Sequence, residues 1–132
     1  MIDHITINVC DLAASKAFYE HVLATLGMRV MLGSEEECFW GFSASNDPEF
    51  EIAEGRLFIS QSDDKHPISP STQIAFKASD RESVDRFYKA AIASGGIDNG
   101  PPGLRPLYGD TYYAAFVIDP DGNNIEAVFG NS

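Results

Sequence analysis

The segment HITINVCDLAASKAFYEHVLATLG, His4 to Gly27, returns without a gap as QIAFKASDRESVDRFYKAAIASGG, Gln73 to Gly96. At an offset of 69 positions Ile5 meets Ile74, Asp11 meets Asp80, Phe18-Tyr19 meets Phe87-Tyr88 and Gly27 meets Gly96. Each copy carries the same local instructions. Alternating apolar and polar residues from His4 to Val9 mark a half-buried strand. Asp11 follows as an N-cap whose carboxylate can accept from the free N–H groups of a first helical turn. Leu12, Ser15, Tyr19, Val22, Leu23 and Leu26 recur at helical spacing, and Gly27 stands where a left-handed stop is wanted. In the second copy Asp80 is the cap, Val84, Phe87, Tyr88, Ala91 and Ile92 form the apolar stripe, and Gly95-Gly96 ends it. A period of half the chain is too long for a solenoid. Two copies of one small unit are expected, each short of a comfortable core by itself.

Working outward, strands are predicted over Met28–Leu32, Cys38–Ser43 and Arg56–Ser60 in the first half. In the second they are predicted over Tyr112–Ile118 and Asn124–Phe129, with a weaker one near Ile97. Asp119-Pro120-Asp121-Gly122 reads as the turn between the last two, with proline setting φ and glycine supplying a positive one. Gly100–Asp110, with three prolines and three glycines, reads as a loop able to reach over a cavity. Each half is βαβββ. The expectation is one α+β domain over residues 1–132, made of modules 1–62 and 71–129, with the polar stretch Ser62–Ser71 as linker.

Hydrophobic content of 44% and charged content of 22% are those of an ordinary globular chain. A formal charge of -11 argues against nucleic acid, which needs clustered cations, and against anionic membrane surfaces. No apolar run reaches membrane-spanning length, and the opening Met1-Ile2-Asp3-His4 lacks the pattern of a signal peptide. Cys10 and Cys38 form no framework and no CxxC, which points to a reduced, cytoplasmic setting.

The paired βαβββ modules, the opening Asp3-His4-Ile5 strand and the closing Asp119-Pro-Asp-Gly-Asn-Asn-Ile-Glu126 segment resemble the vicinal oxygen chelate superfamily. That group includes glyoxalase I, extradiol dioxygenases, and fosfomycin- and bleomycin-resistance proteins. The resemblance covers essentially the whole chain. It implies two modules forming a cupped mixed sheet, a homodimer, and a small-molecule ligand in the cup, with or without a divalent metal. It also implies that metal ligands come from the first and last strands of each module. Carried onto this sequence, those places are His4, Gln73 and Glu126, with Phe58 in the fourth, and the four side chains are expected to converge.

Imidazole, carboxylate and an amide oxygen can bind one divalent ion, with Zn, Ni, Mn and Fe undistinguished, whereas Phe58 offers no donor. Glu126 is the candidate catalytic group, as metal ligand or general base. A bland alternative is that His4 and Glu126 hydrogen-bond one another across the cup. Candidates for substrate contact are Arg105, flanked by prolines and suited to an anion, together with Phe58, Trp40, Tyr108 and Tyr113. Tyr112 and Tyr113 face opposite sides by strand alternation, so only one can line the cup. Two functions remain open. One is a glyoxalase-like, metal-assisted lyase or isomerase acting on a small carbonyl or hydroxyl compound. The other is a metal-free binding or sequestration protein of the bleomycin-resistance type.

Overall fold

The computed structural model describes residues 1–44, 55–69 and 71–131. The chain forms two compact units, Met1–Ser69 and Pro70–Ser132. The first contains β1 (His4–Val9), α1 (Leu12–Ala24), β2 (Arg29–Ser34), β3 (Phe39–Ser43) and β4 (Arg56–Gln61). The second contains β5 (Gln73–Lys77), α2 (Arg81–Ala93), β6 (Ile97–Leu104), β7 (Tyr113–Ile118) and β8 (Asn124–Phe129). The sheet orders are β1-β4-β3-β2 and β5-β8-β7-β6, and in each the first strand runs parallel to the last. The layout is therefore βαβββ twice.

Both helices begin as their sequence dictates. Asp11 Oδ1 accepts from Ala14 N at 3.1 Å, and Asp80 Oδ1 from Ser83 N at 2.7 Å. Such a cap contributes about 1 kcal/mol and fixes where the chain leaves the strand. The two helices keep the 69-residue offset, but the first positive φ beyond them falls at Gly27 (78°) and at Gly95 (93°). The second copy turns one residue sooner, and β2 with β6, like β4 with β8, corresponds at an offset of 68.

In the first unit α1 packs on one sheet face. Val9, Tyr19, Val22, Leu23, Phe42 and Ile59 are fully buried there. In the second, Val84, Phe87 and Ala91 of α2 are buried with Ala115, Val117, Ile125 and Ala127. Ile92 departs from its expected place in the apolar stripe and is 39% exposed.

One expectation is corrected. Gly100–Asp110 is not a loop throughout, because β6 continues through Pro101, Pro102 and Gly103 to Leu104. Proline removes a ladder donor, which a central strand cannot tolerate. An edge strand can, and among the described residues β6 pairs only with β7. Register shifts between Asp98 and Gly100 and between Gly100 and Gly103 absorb the irregular residues. The strands built on alternation stand, with ends moved by one or two residues. Among the described residues no helix is long and apolar enough to cross a membrane.

Candidate functional site

Strand register determines which side chains share the sheet face turned away from each helix. In the first unit His4 pairs with Arg56, Thr6 with Phe58, and Phe58 with Gly41. In the second Gln73 pairs with Asn124, Ala75 with Glu126, and Glu126 with Phe116. Thr6 and Ala75 are equivalent by the 69-residue offset, so Phe58 and Glu126 hold equivalent places in their sheets.

On the first-unit face the His4 ring stacks on Phe58, with centroids 4.7 Å apart and planes at 21°. Gly41 makes room for that ring, since a Cβ there would come within 2.6 Å of Phe58 Cε1. Asp3 Oδ1 lies 2.6 Å from His4 Nδ1 and accepts from Arg56 at 2.6 Å. Its carboxyl is held below the usual range by these two bonds, His4 first and Arg56 second. An ionised carboxylate only accepts, so Nδ1 carries the proton and the lone pair of a neutral ring is on Nε2. Arg56 is the residue that sequence reading missed here. Its side chain is 14% exposed, and its Nε is buried without a hydrogen-bond partner.

On the second-unit face Glu126 is 3% exposed. Its Oε1 accepts from the Tyr112 hydroxyl at 2.6 Å, and its Oε2 from Gln73 Nε2 at 3.4 Å. Desolvation first, and then the Glu126 carboxylate, push the Tyr112 phenol up to about 12. The folded state thus holds this proton more tightly than the unfolded chain. Its contribution to stability is complete below pH 10 and is lost as pH rises towards 12. Replacing Tyr112 by Phe is expected to remove a phenol that titrates near pH 12 and to flatten that alkaline loss. Spectrophotometric titration of both proteins checks this. A difference curve centred near 10 would contradict the Tyr112–Glu126 pairing.

At Phe116, the register partner of Glu126, opens a cavity of about 350 Å³ lined also by Asn99, Gly100, Arg105, Leu107 and Tyr108, among others. Arg105 lies over the Phe116 ring at 5.4 Å and donates to Pro101 O at 2.6 Å. Tyr108 stands against Tyr112 with centroids 5.4 Å apart.

Two expected ligand-contact residues are corrected. Tyr113 faces the helix, not the open face: its hydroxyl donates to Asp85 of α2 at 2.7 Å, and Arg81 lies over its ring. Tyr112 takes the open side instead, at the parity of Phe116. Trp40 also faces a helix, with Lys16 of α1 4.3 Å over its ring, and its register partner Ile59 is fully buried. Phe42 beside it is core.

The donors do not fit a resident divalent ion. His4 has the orientation of a metal ligand, its Nδ1 tied to a carboxylate and its Nε2 free. It is the first unit's sole donor of the set, since Phe58 fills the other place. Glu126 has both oxygens engaged by hydrogen bonds, and Gln73 spends its amide on one of them. Among the described residues no three His, Cys, Asp or Glu side chains lie together as a metal-binding group.

The fold and its register places can be set beside known proteins. No curated protein matches this chain. It is 30% identical to a glyoxalase/bleomycin resistance protein from Albidiferax ferrireducens, with 97% of each chain covered and a TM-score of 0.77. It also resembles a glyoxalase-related enzyme from Fulvimarina pelagi at 20% identity, covering 98% of this chain and 88% of that one, TM-score 0.71. A lactoylglutathione lyase from Agrobacterium tumefaciens shares the fold at 20% identity, 98% and 93% coverage and TM-score 0.66. A sequence model of one superfamily matches residues 1–127, nearly the whole βαβββ pair. By that match and the doubled fold, the chain belongs to the Glyoxalase/Bleomycin resistance protein/Dioxygenase superfamily.

Proposed function

We propose that this protein binds a small organic molecule without a metal, using the cavity at Phe116 in the second unit. The observation that carries the reading is the state of the Glu126 carboxylate. Tyr112 and Gln73 occupy its two oxygens, and the equivalent register place in the first unit holds a phenylalanine. Recruiting Glu126 to a cation would break a short charge-assisted hydrogen bond and leave a half-buried phenol without its acceptor. The cavity supports the reading by size and lining. At about 350 Å³ it lies in the range of ligand pockets, with aromatic walls and few polar groups.

One observation favours the metal-assisted lyase or isomerase reading, namely the Asp3–His4 pair that leaves Nε2 available. The same experiment separates the two. Zinc, nickel or manganese should leave the melting temperature unchanged within about 1 °C, because a ligand that does not bind the native state adds nothing by linkage. A rise of several degrees with any of these ions, reversed by chelator, would overturn the metal-free reading.

A further inference from the structure

We infer that the cavity of the second unit selects a small organic monoanion with a flat ring, and that Arg105 anchors its charge. This rests on the small-molecule reading above and specifies the class of ligand. Among the described residues Arg105, like Arg29 and Arg81, lacks an ion-pair partner, whereas Arg56 is paired with Asp3 and Arg86 with Glu82; of the three unpaired arginines it is Arg105 that lines the cavity. The chain has 20 acidic residues against 9 lysines and arginines, so scarcity of carboxylates does not explain it. Among the described residues the cavity lining contains no Asp or Glu.

The guanidinium is nevertheless held in place. It donates to Pro101 O at 2.6 Å and to Leu104 O at 3.4 Å, and it rests over the Phe116 ring. Backbone carbonyls and an aromatic face orient the group but cancel none of its net charge. Two glycines admit it: a Cβ on Gly100 would stand 3.2 Å from one terminal nitrogen, and a Cβ on Gly103 3.1 Å from the other. A guanidinium has five donors, so N–H groups remain for an incoming carboxylate.

The rest of the site suits a ring. Phe116 and the 56%-exposed Tyr108 offer aromatic surface, and Leu107 is 96% exposed at the rim. The overall charge of -11 opposes anions at long range, but charges beyond about 8 Å are largely screened at physiological salt. Arg105 acts at contact distance and decides the sign of the ligand.

The test uses the intact chain and three probes: benzoate, benzamide as a ring without charge, and acetate as a charge without a ring. Amide NMR shifts of Gly100, Leu107 and Tyr108 report binding. Benzoate is expected to bind at least tenfold more tightly than either of the others. Arg105→Gln should bring benzoate down to the level of benzamide, and Arg105→Lys should fall between. If Arg105→Gln does not fold, the three probes on the unaltered protein still decide. Equal binding of benzoate and benzamide would overturn the anion class and leave the small-molecule reading standing. Absence of any shift at the cavity with all three probes would overturn both.

Discussion

Asp119→Ala is expected to destabilise the protein by about 3 kcal/mol, as the sum of two buried donors left without an acceptor. The carboxylate is 4% exposed and organises the turn between β7 and β8. Its Oδ1 accepts from Asn123 N at 2.8 Å and Asp121 N at 2.9 Å, and its Oδ2 from Asn123 Nδ2 at 3.0 Å. Water can reach the partly exposed Asp121. It cannot readily reach Asn123, which is 2% exposed, so the two Asn123 donors set the cost. Asn123 also accepts from Thr72 N at 3.2 Å, just ahead of β5. Loss of the turn therefore loosens β8 from both neighbours and with it the register that brings Glu126 to Tyr112 and Gln73. Urea denaturation of Asp119→Ala beside Asp119→Asn checks this, the amide retaining part of the acceptor set. A loss below about 1 kcal/mol for the alanine variant would show that Pro120 and Gly122 hold the turn without the carboxylate.

Gly33→Ala should be costlier still, at more than about 3 kcal/mol, because two penalties coincide. Gly33 has φ at 123°, a conformation that any side chain strains. An added Cβ would also stand 2.3 Å from the backbone oxygen of Phe39 and 2.7 Å from Trp40 Cα. Neither atom can rotate away as a side-chain tip can, so β2 must part from β3. Trp40 is the sole tryptophan and the register partner of Gly33, which makes its fluorescence a direct reporter. The expected result is a shifted emission spectrum and a much lower urea midpoint. An unchanged midpoint would mean that this edge of the sheet yields at no cost.

The repeat, both caps and both helices were readable because they depend on contacts within a few residues. Asp11 and Asp80 cap wherever they precede an apolar helical stripe, and no distant part of the chain is consulted. The resemblance implied a mixed sheet, but the parallel pairing of first and last strands was not readable from spacing and came from the register. Tyr112 and Tyr113 mark the boundary of such reasoning. Alternation says that they oppose, but Ala114 and Ala115 after them are equally apolar and give no hint of which face is covered. The choice follows from the antiparallel register set by the Asp119–Asn123 turn, which puts Phe116 opposite Glu126 and so carries Tyr112 to the same side.

The amino-acid sequence by itself determined the two βαβββ layouts, most strand ends to within a residue or two, and the equivalence of His4 with Gln73, while the family resemblance paired Phe58 with Glu126. Periodicity, capping and repetition are local or self-similar properties, legible in one dimension. Tertiary structure alone decided what those places do. It tied Glu126 to Tyr112 and Gln73, stacked His4 on Phe58, turned Trp40 and Tyr113 towards helices, and extended β6 through prolines tolerated at a sheet edge. It also left Arg105 over an aromatic ring with no ion-pair partner among the described residues. Each outcome depends on which groups meet across strands far apart in sequence, where one step of register exchanges a buried partner for open space.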